Sequence, residues 1–125
     1  MSALPEVVGQ AWEKRQGPIV LTTVDAEGTP NAIYASCVQR YGEDAFIVAD
    51  NYMHKTRANV LGGSRASLLF ITEERSAYQC KGWLQYVTSG PAYEAMKSAL
   101  RSGLPGHAAV VLHVDRVYKG AEELL

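Results

Sequence analysis

Eight consecutive residues, Ala49-Asp50-Asn51-Tyr52-Met53-His54-Lys55-Thr56, hold the most suggestive chemistry in this sequence. They leave an apolar run, cross a polar loop and enter a short helical stretch at a Lys-Thr pair. The first turn of a helix has backbone N–H groups without partners and the positive end of the dipole, which favours anions. Lys55 adds a mobile positive charge and Thr56 a hydroxyl donor, a combination suited to a phosphate monoester. The same residues also read as an ordinary solvated helix start capped by Thr56 or Asn51. Spacing alone leaves both readings open. The glycine spacing of a Walker loop or a Rossmann fold is missing, which argues against nucleoside triphosphates and NAD bound in those modes.

Other reactive side chains form no constellation. Ser36 and Cys37 sit mid-strand, without a nucleophile-elbow sequence and with no histidine tied to them by spacing. His54, His107 and His113 lack the His-x-x-x-His spacing of a helical metal site, so no metal is expected. His113 reads as a sheet-face histidine. Carboxylates are scattered over turns and helix faces, so no glycosidase-like pair stands out. Cys37 and Cys80 are far apart and fit reduced thiols of a cytoplasmic protein better than a disulfide framework.

The elements that must position the Lys-Thr loop follow from periodicity. Leu4, Val7, Val8, Ala11 and Trp12 make one apolar stripe at helical spacing. Ser2 can cap that helix, Pro5 suits its first turn and Gly17-Pro18 stops it. The period then changes to that of strands: Ile19 to Val24, a turn at Asp25 to Gly28, and a returning strand from Asn31 to Gln39. Ala45 to Ala49 is almost wholly apolar and should be a central, buried strand. His54 to Leu61 makes two helical turns ended by Gly62-Gly63. Ala66 to Thr72 and Tyr78 to Thr88 are strands, with Gly82 marking a bulge or a close backbone approach. A helix opens at Ser89-Gly90-Pro91, with Tyr93, Met96, Ala99 and Leu100 on one face and Gly103 closing it. Ala108 to Val114 is the last clear strand, extended by Val117 and Tyr118.

That count, about six strands and two to three helices, favours an antiparallel barrel, because hairpins join the first strands and closure removes edges. The 125 residues set the expectation of a single domain spanning 1–125. With 47% hydrophobic and 20% charged residues, the composition is globular. Lys plus Arg number 12 against 13 Asp plus Glu, so the basic excess expected of a nucleic-acid binder is missing. No apolar stretch approaches a membrane span, and charges interrupt any signal-peptide core, so neither a membrane nor secretion is expected.

Beyond these readings lies a resemblance. Met53-His54-Lys55-Thr56 followed by Ala58-Asn59-Val60, the strand ahead of it, Gly82, and Gly90-Pro91 with the helix start through Ala95 resemble the FMN-binding split barrel. More narrowly, the chain is similar, nearly end to end, to small FMN-binding proteins related to pyridoxamine 5′-phosphate oxidase. The resemblance implies a mainly β, Greek-key-like split barrel and a homodimer with FMN at its interface. It implies that Lys55 and Thr56 hold the flavin phosphate and that Met53 and His54 pack around it. Backbone groups of Ile33, Tyr34, Ala35 and Ser36 would grip the isoalloxazine ring, with Val48, Ala49 and Asp50 on its other side. Leu125 would reach the partner's flavin as a lid.

The implied function is an electron or hydride carrier, either an electron-transfer partner or a flavin reductase-like oxidoreductase, in which the protein orients the cofactor and sets its electrostatics. A non-catalytic flavin sensor or storage module, and a split barrel holding a deazaflavin or haem, are the alternatives. Two positions depart from a close relative's pattern. Gln16 replaces an acidic residue, and no aromatic stands near Pro105-Gly106; both bear on redox potential. The tail Glu123-Leu124-Leu125 lacks the arginine-containing substrate motif of true pyridoxamine phosphate oxidases, so that activity is not expected.

Overall fold

A computed structural model describes residues 3–125. Ser2, the candidate helix cap, lies outside the described residues. Helix α1 (Glu6–Glu13) is followed by strands β1 (Ile19–Val24), β2 (Pro30–Ala35), β3 (Val38–Tyr41) and β4 (Ala45–Asp50). Then come α2 (Lys55–Leu61), β5 (Arg65–Ile71), β6 (Ala77–Val87), α3 (Pro91–Ala99), β7 (Ala108–Lys119) and the short β8 (Glu122–Glu123). No helix among the described residues is long and apolar enough to cross a membrane.

All strand pairs are antiparallel, in the order β2-β1-β5-β6-β7-β4-β3, with β8 beside β7. The first and last strands of that order are consecutive in the chain, and only Ser36 and Cys37 separate them. Laid flat, the two edges would stand about 29 Å apart at the usual inter-strand spacing. Two linking residues reach about 11 Å at most. The sheet therefore curls until its edges meet at Ser36-Cys37, where the Ala49 N–H donates to the Cys37 carbonyl at 3.0 Å. The result is a split barrel.

This closure explains the main departure from the expected elements. The single strand expected over Asn31 to Gln39 is broken in two, because the chain must step from one sheet edge to the other. That break and the two-residue β8 raise the strand count from about six to eight. Gly82 behaves as its position implied. The β6–β7 register shifts between Lys81 and Gly82, and a Cβ at Gly82 would lie 1.8 Å from the His113 carbonyl oxygen. Helix α3 ends at Ala99, before Gly103, and turns Ala92 and Met96 into the core.

β4 is buried on both faces. Phe46 and Val48 point into the barrel with Leu21, Leu68 and Leu112, and Trp12 of α1 packs on Phe46 and Phe70 at ring separations of 4.8 and 5.2 Å. Ala45, Ile47 and Ala49 point outward beneath Ala92 and Met96 of α3. The element that delivers the Lys-Thr loop is thus a strand buried along its whole length.

Candidate functional site

Where the barrel splits, β2, the end of β4, the loop 51–54, the start of α2 and the segment after α3 enclose a cleft of about 450 Å³. That volume suits a small-molecule ligand. Ile33, Tyr34, Ala35, Ser36, Ala49, Met53, His54, Lys55 and Thr56 all line it. Residues separated by up to 23 positions are brought together because β2 is a sheet edge that curls toward the β4–α2 junction. An edge strand also keeps backbone N–H and C=O groups unpaired on its outer side, so β2 offers the cleft donors and acceptors that no side chain announces.

The polar end of the cleft is built around Thr56. Its side chain is 2% exposed, and its Oγ1 accepts a hydrogen bond from Asn31 Nδ2 at 3.0 Å. Among the described residues nothing accepts the hydroxyl's own proton, which leaves it for a ligand in the cleft. Asn59 Nδ2 donates to the buried Thr23 Oγ1 at 3.0 Å and ties the same helix to β1. Lys55 is exposed and makes no ion pair among the described residues. No Asp or Glu lines the cleft, while Lys55 and Arg101 do. Because α2 has only seven residues, these side chains rather than a helix dipole supply the attraction for an anion.

Asp50 is placed differently from the sequence expectation. β4 alternates its side chains, so Asp50 turns inward with Phe46 and Val48 and is fully buried instead of facing the cleft. Its carboxylate accepts from Arg57 Nε and Nη2 at 2.6 and 3.0 Å, from the Tyr86 hydroxyl at 2.6 Å and from the Met53 N–H at 3.1 Å. Burial alone would raise its pKa. The hydrogen bonds from Arg57, Tyr86 and Met53, with the charge of Arg57, outweigh that and hold the carboxyl below its ordinary range. Burial and the bond to Asp50 push the Tyr86 phenol up.

Two more expected residues lie away from the cleft, each for a geometric reason. Val48 is 1% exposed and belongs to the barrel core, since it shares the inward phase of Phe46. Leu125 lies beside Arg65, Asp115 and Arg116, and its backbone is bonded to Val117. Conversely, Asn31, Arg101 and Leu104 line the cleft without a sequence expectation, and so do Cys37, next to the expected Ser36, and Asn51 and Tyr52 of the loop singled out by its chemistry. Asn31 sits in phase with Ile33 and Ala35 on β2, a signal that strand alternation alone carries. Arg101 and Leu104 arrive only through tertiary structure. Their segment is pinned where the Gly106 N–H donates to Asn51 Oδ1 at 3.0 Å and the His107 N–H to the Asp50 carbonyl at 2.8 Å. Gln16 is bonded through its backbone to Ile71 and is not a cleft residue.

Comparison with known proteins bears on this arrangement. The sequence profile of the family described as pyridoxamine 5′-phosphate oxidase matches residues 8–120. An uncharacterized protein of Methanocaldococcus jannaschii is 29% identical over 105 residues, covering 80% of this chain and 70% of that one. Among solved structures, an FMN-binding protein from Syntrophomonas wolfei subsp. wolfei superposes with a TM-score of 0.77 at 19% identity, covering 93% of this chain and 84% of that one. HutZ, the haem storage protein from Vibrio cholerae, does so with a TM-score of 0.66 at 18% identity, covering 95% of each chain.

Proposed function

This chain belongs to the pyridoxamine 5′-phosphate oxidase family, and we propose that it is an FMN-binding flavoprotein that carries electrons or hydride, with the cofactor held at a homodimer interface. The observation that carries this reading is the polar end of the cleft. There a buried Thr56 hydroxyl is held by Asn31 with its proton uncommitted, next to the unpaired Lys55 and with no carboxylate lining the cleft. A dianionic phosphate monoester matches that donor set, and charge-assisted bonds of this kind are the strong ones.

The residues divide the work. Lys55 and Thr56 bind the phosphate, and Asn31 orients the hydroxyl. The free edge of β2 from Ile33 to Ser36 offers backbone groups to the polar rim of the ring, Ala49 gives it an apolar floor, and Met53 and His54 pack around the phosphate. FMN, when bound, supplies the redox chemistry at its isoalloxazine ring. Arg101, at the Cys37 end of the cleft, adds positive charge that favours electron density arriving there.

The dimer draws support from an exposed sheet face. Tyr34, Val20, Leu69, Gln79 and Tyr118 form one row across β2, β1, β5, β6 and β7 on the outside of the barrel. Leu69 is 38% and Tyr34 77% exposed. Tyr34 also lines the cleft, so this face and the site are continuous. A second copy seated there would close the cleft.

A haem in the same cleft is the rival reading. It draws on His54 and Met53, both side chains that ligate haem iron elsewhere. Titration with FMN, followed by quenching of flavin fluorescence, tests the proposal. Wild type should bind FMN, and Lys55→Ala should weaken binding by about 2 kcal/mol while leaving riboflavin binding nearly unchanged. Equal loss for both flavins would place the phosphate elsewhere.

A further inference from the structure

We propose that Asp50 is a positioning residue for the phosphate half of the cleft, acting through α2 without touching the ligand. The inference rests on the FMN reading of the same site. A seven-residue helix does not hold itself together in water, so its placement depends on what grips it. One grip is the pair of bonds from Asn31 to Thr56 and from Asn59 to Thr23. The other is Asp50, whose two carboxylate oxygens take both Arg57 nitrogens, the Tyr86 hydroxyl and the Met53 N–H. Through Met53 it fixes the loop entering the helix, and through Arg57 it fixes the turn that carries Lys55 and Thr56.

Chemistry gives the pairing a second purpose. A bare carboxylate buried beneath an anion site would repel the anion through a low-dielectric interior. Arg57 neutralises it there, so the site keeps a rigid anchor without an electrostatic penalty. The ring half of the cleft is built from β2 and Ala49, which Asp50 does not hold by its side chain. Loosening Asp50 should therefore disturb recognition of the phosphate and spare recognition of the ring.

FMN and riboflavin share the ring and differ in the phosphate, so the ratio of their affinities isolates this effect. The full chain is titrated with each, as wild type, Asp50→Asn and Tyr86→Phe. Asp50→Asn should lower the FMN-to-riboflavin affinity ratio about tenfold, the loss of a charge-assisted network. Tyr86→Phe, which removes one bond, should lower it about threefold. Riboflavin affinity itself should stay within about twofold of wild type, below the scale of a lost hydrogen bond. A general structural defect would weaken both flavins together; that result, or an unchanged or raised ratio, overturns the proposal. If Asp50→Asn does not fold, Tyr86→Phe decides by the same criteria. Wild type that binds neither flavin brings down the cofactor reading and this role with it, a pattern distinct from a failure in the variants alone.

Discussion

Asn31 Nδ2 donates to the Thr56 hydroxyl oxygen at 3.0 Å, joining residues 25 positions apart at the junction of β2 and α2. The bond occupies one lone pair of the hydroxyl oxygen and leaves its proton uncommitted among the described residues, so a buried side chain that would otherwise be a packing residue can donate to a ligand in the cleft.

Asn31→Ala should therefore weaken FMN binding by about 1 kcal/mol, the net worth of one such bond, without altering the fold. Asn31→Asp should cost more, since it sets a negative charge beside the phosphate. Isothermal titration of both variants, with circular dichroism as the folding control, checks the order.

Gly82→Ala should be among the most damaging single-methyl additions available. The new Cβ would meet the His113 carbonyl oxygen at 1.8 Å, and that oxygen belongs to the longest strand, which cannot yield without breaking its ladder. Destabilisation of about 3 kcal/mol, the upper part of the range for overpacking, should appear as a lower urea midpoint with the slope retained.

Acid should loosen the site through Asp50. Its folded-state pKa lies below the ordinary value of 3.8, so the stabilisation it provides is complete above that value and is lost as pH falls through the folded one. Urea midpoints should be flat in this respect above about pH 5 and fall steeply below about pH 4. Tyr86→Phe should make the acid limb shallower, because it removes one of the bonds that depress the pKa. The Arg65–Asp115 pair, more than a third exposed on both sides, should contribute little to that limb.

Leu69→Glu should separate the two subunits. Leu69 stands mid-row on the exposed face, and a carboxylate there would have to be buried against a second copy. Sedimentation velocity should report a dimer for wild type and a monomer for the variant, with FMN affinity falling in parallel. A wild-type monomer would remove the interface from the account.

Much of this was readable from the residues. The apolar run Ala45 to Ala49 announced a strand buried on both faces, and Gly82 announced the bulge. The Met53 to Thr56 loop announced a strand-to-helix junction with a Lys-Thr pair at the helix start, and those residues line the cleft. Ser36 and Cys37 announced nothing. Both are compatible with a continuing strand, and the break there is imposed by barrel closure. Asp50 was misplaced because sequence neighbourhood suggested a cleft wall, whereas the two-residue period of β4 turns its side chain inward to Arg57 and Tyr86. Arg101 and Leu104 reach the cleft through a segment anchored on Asn51, a contact between residues too far apart for any local pattern to signal.

The most direct test is the visible spectrum of freshly purified protein, followed by release of any ligand and its identification by mass, with added FMN supplied if the protein is colourless. An FMN-binding protein should show the paired absorption bands of an oxidised flavin and a released or incorporated ligand with the mass of FMN. A Soret band, or a colourless protein that takes up no FMN, would contradict it.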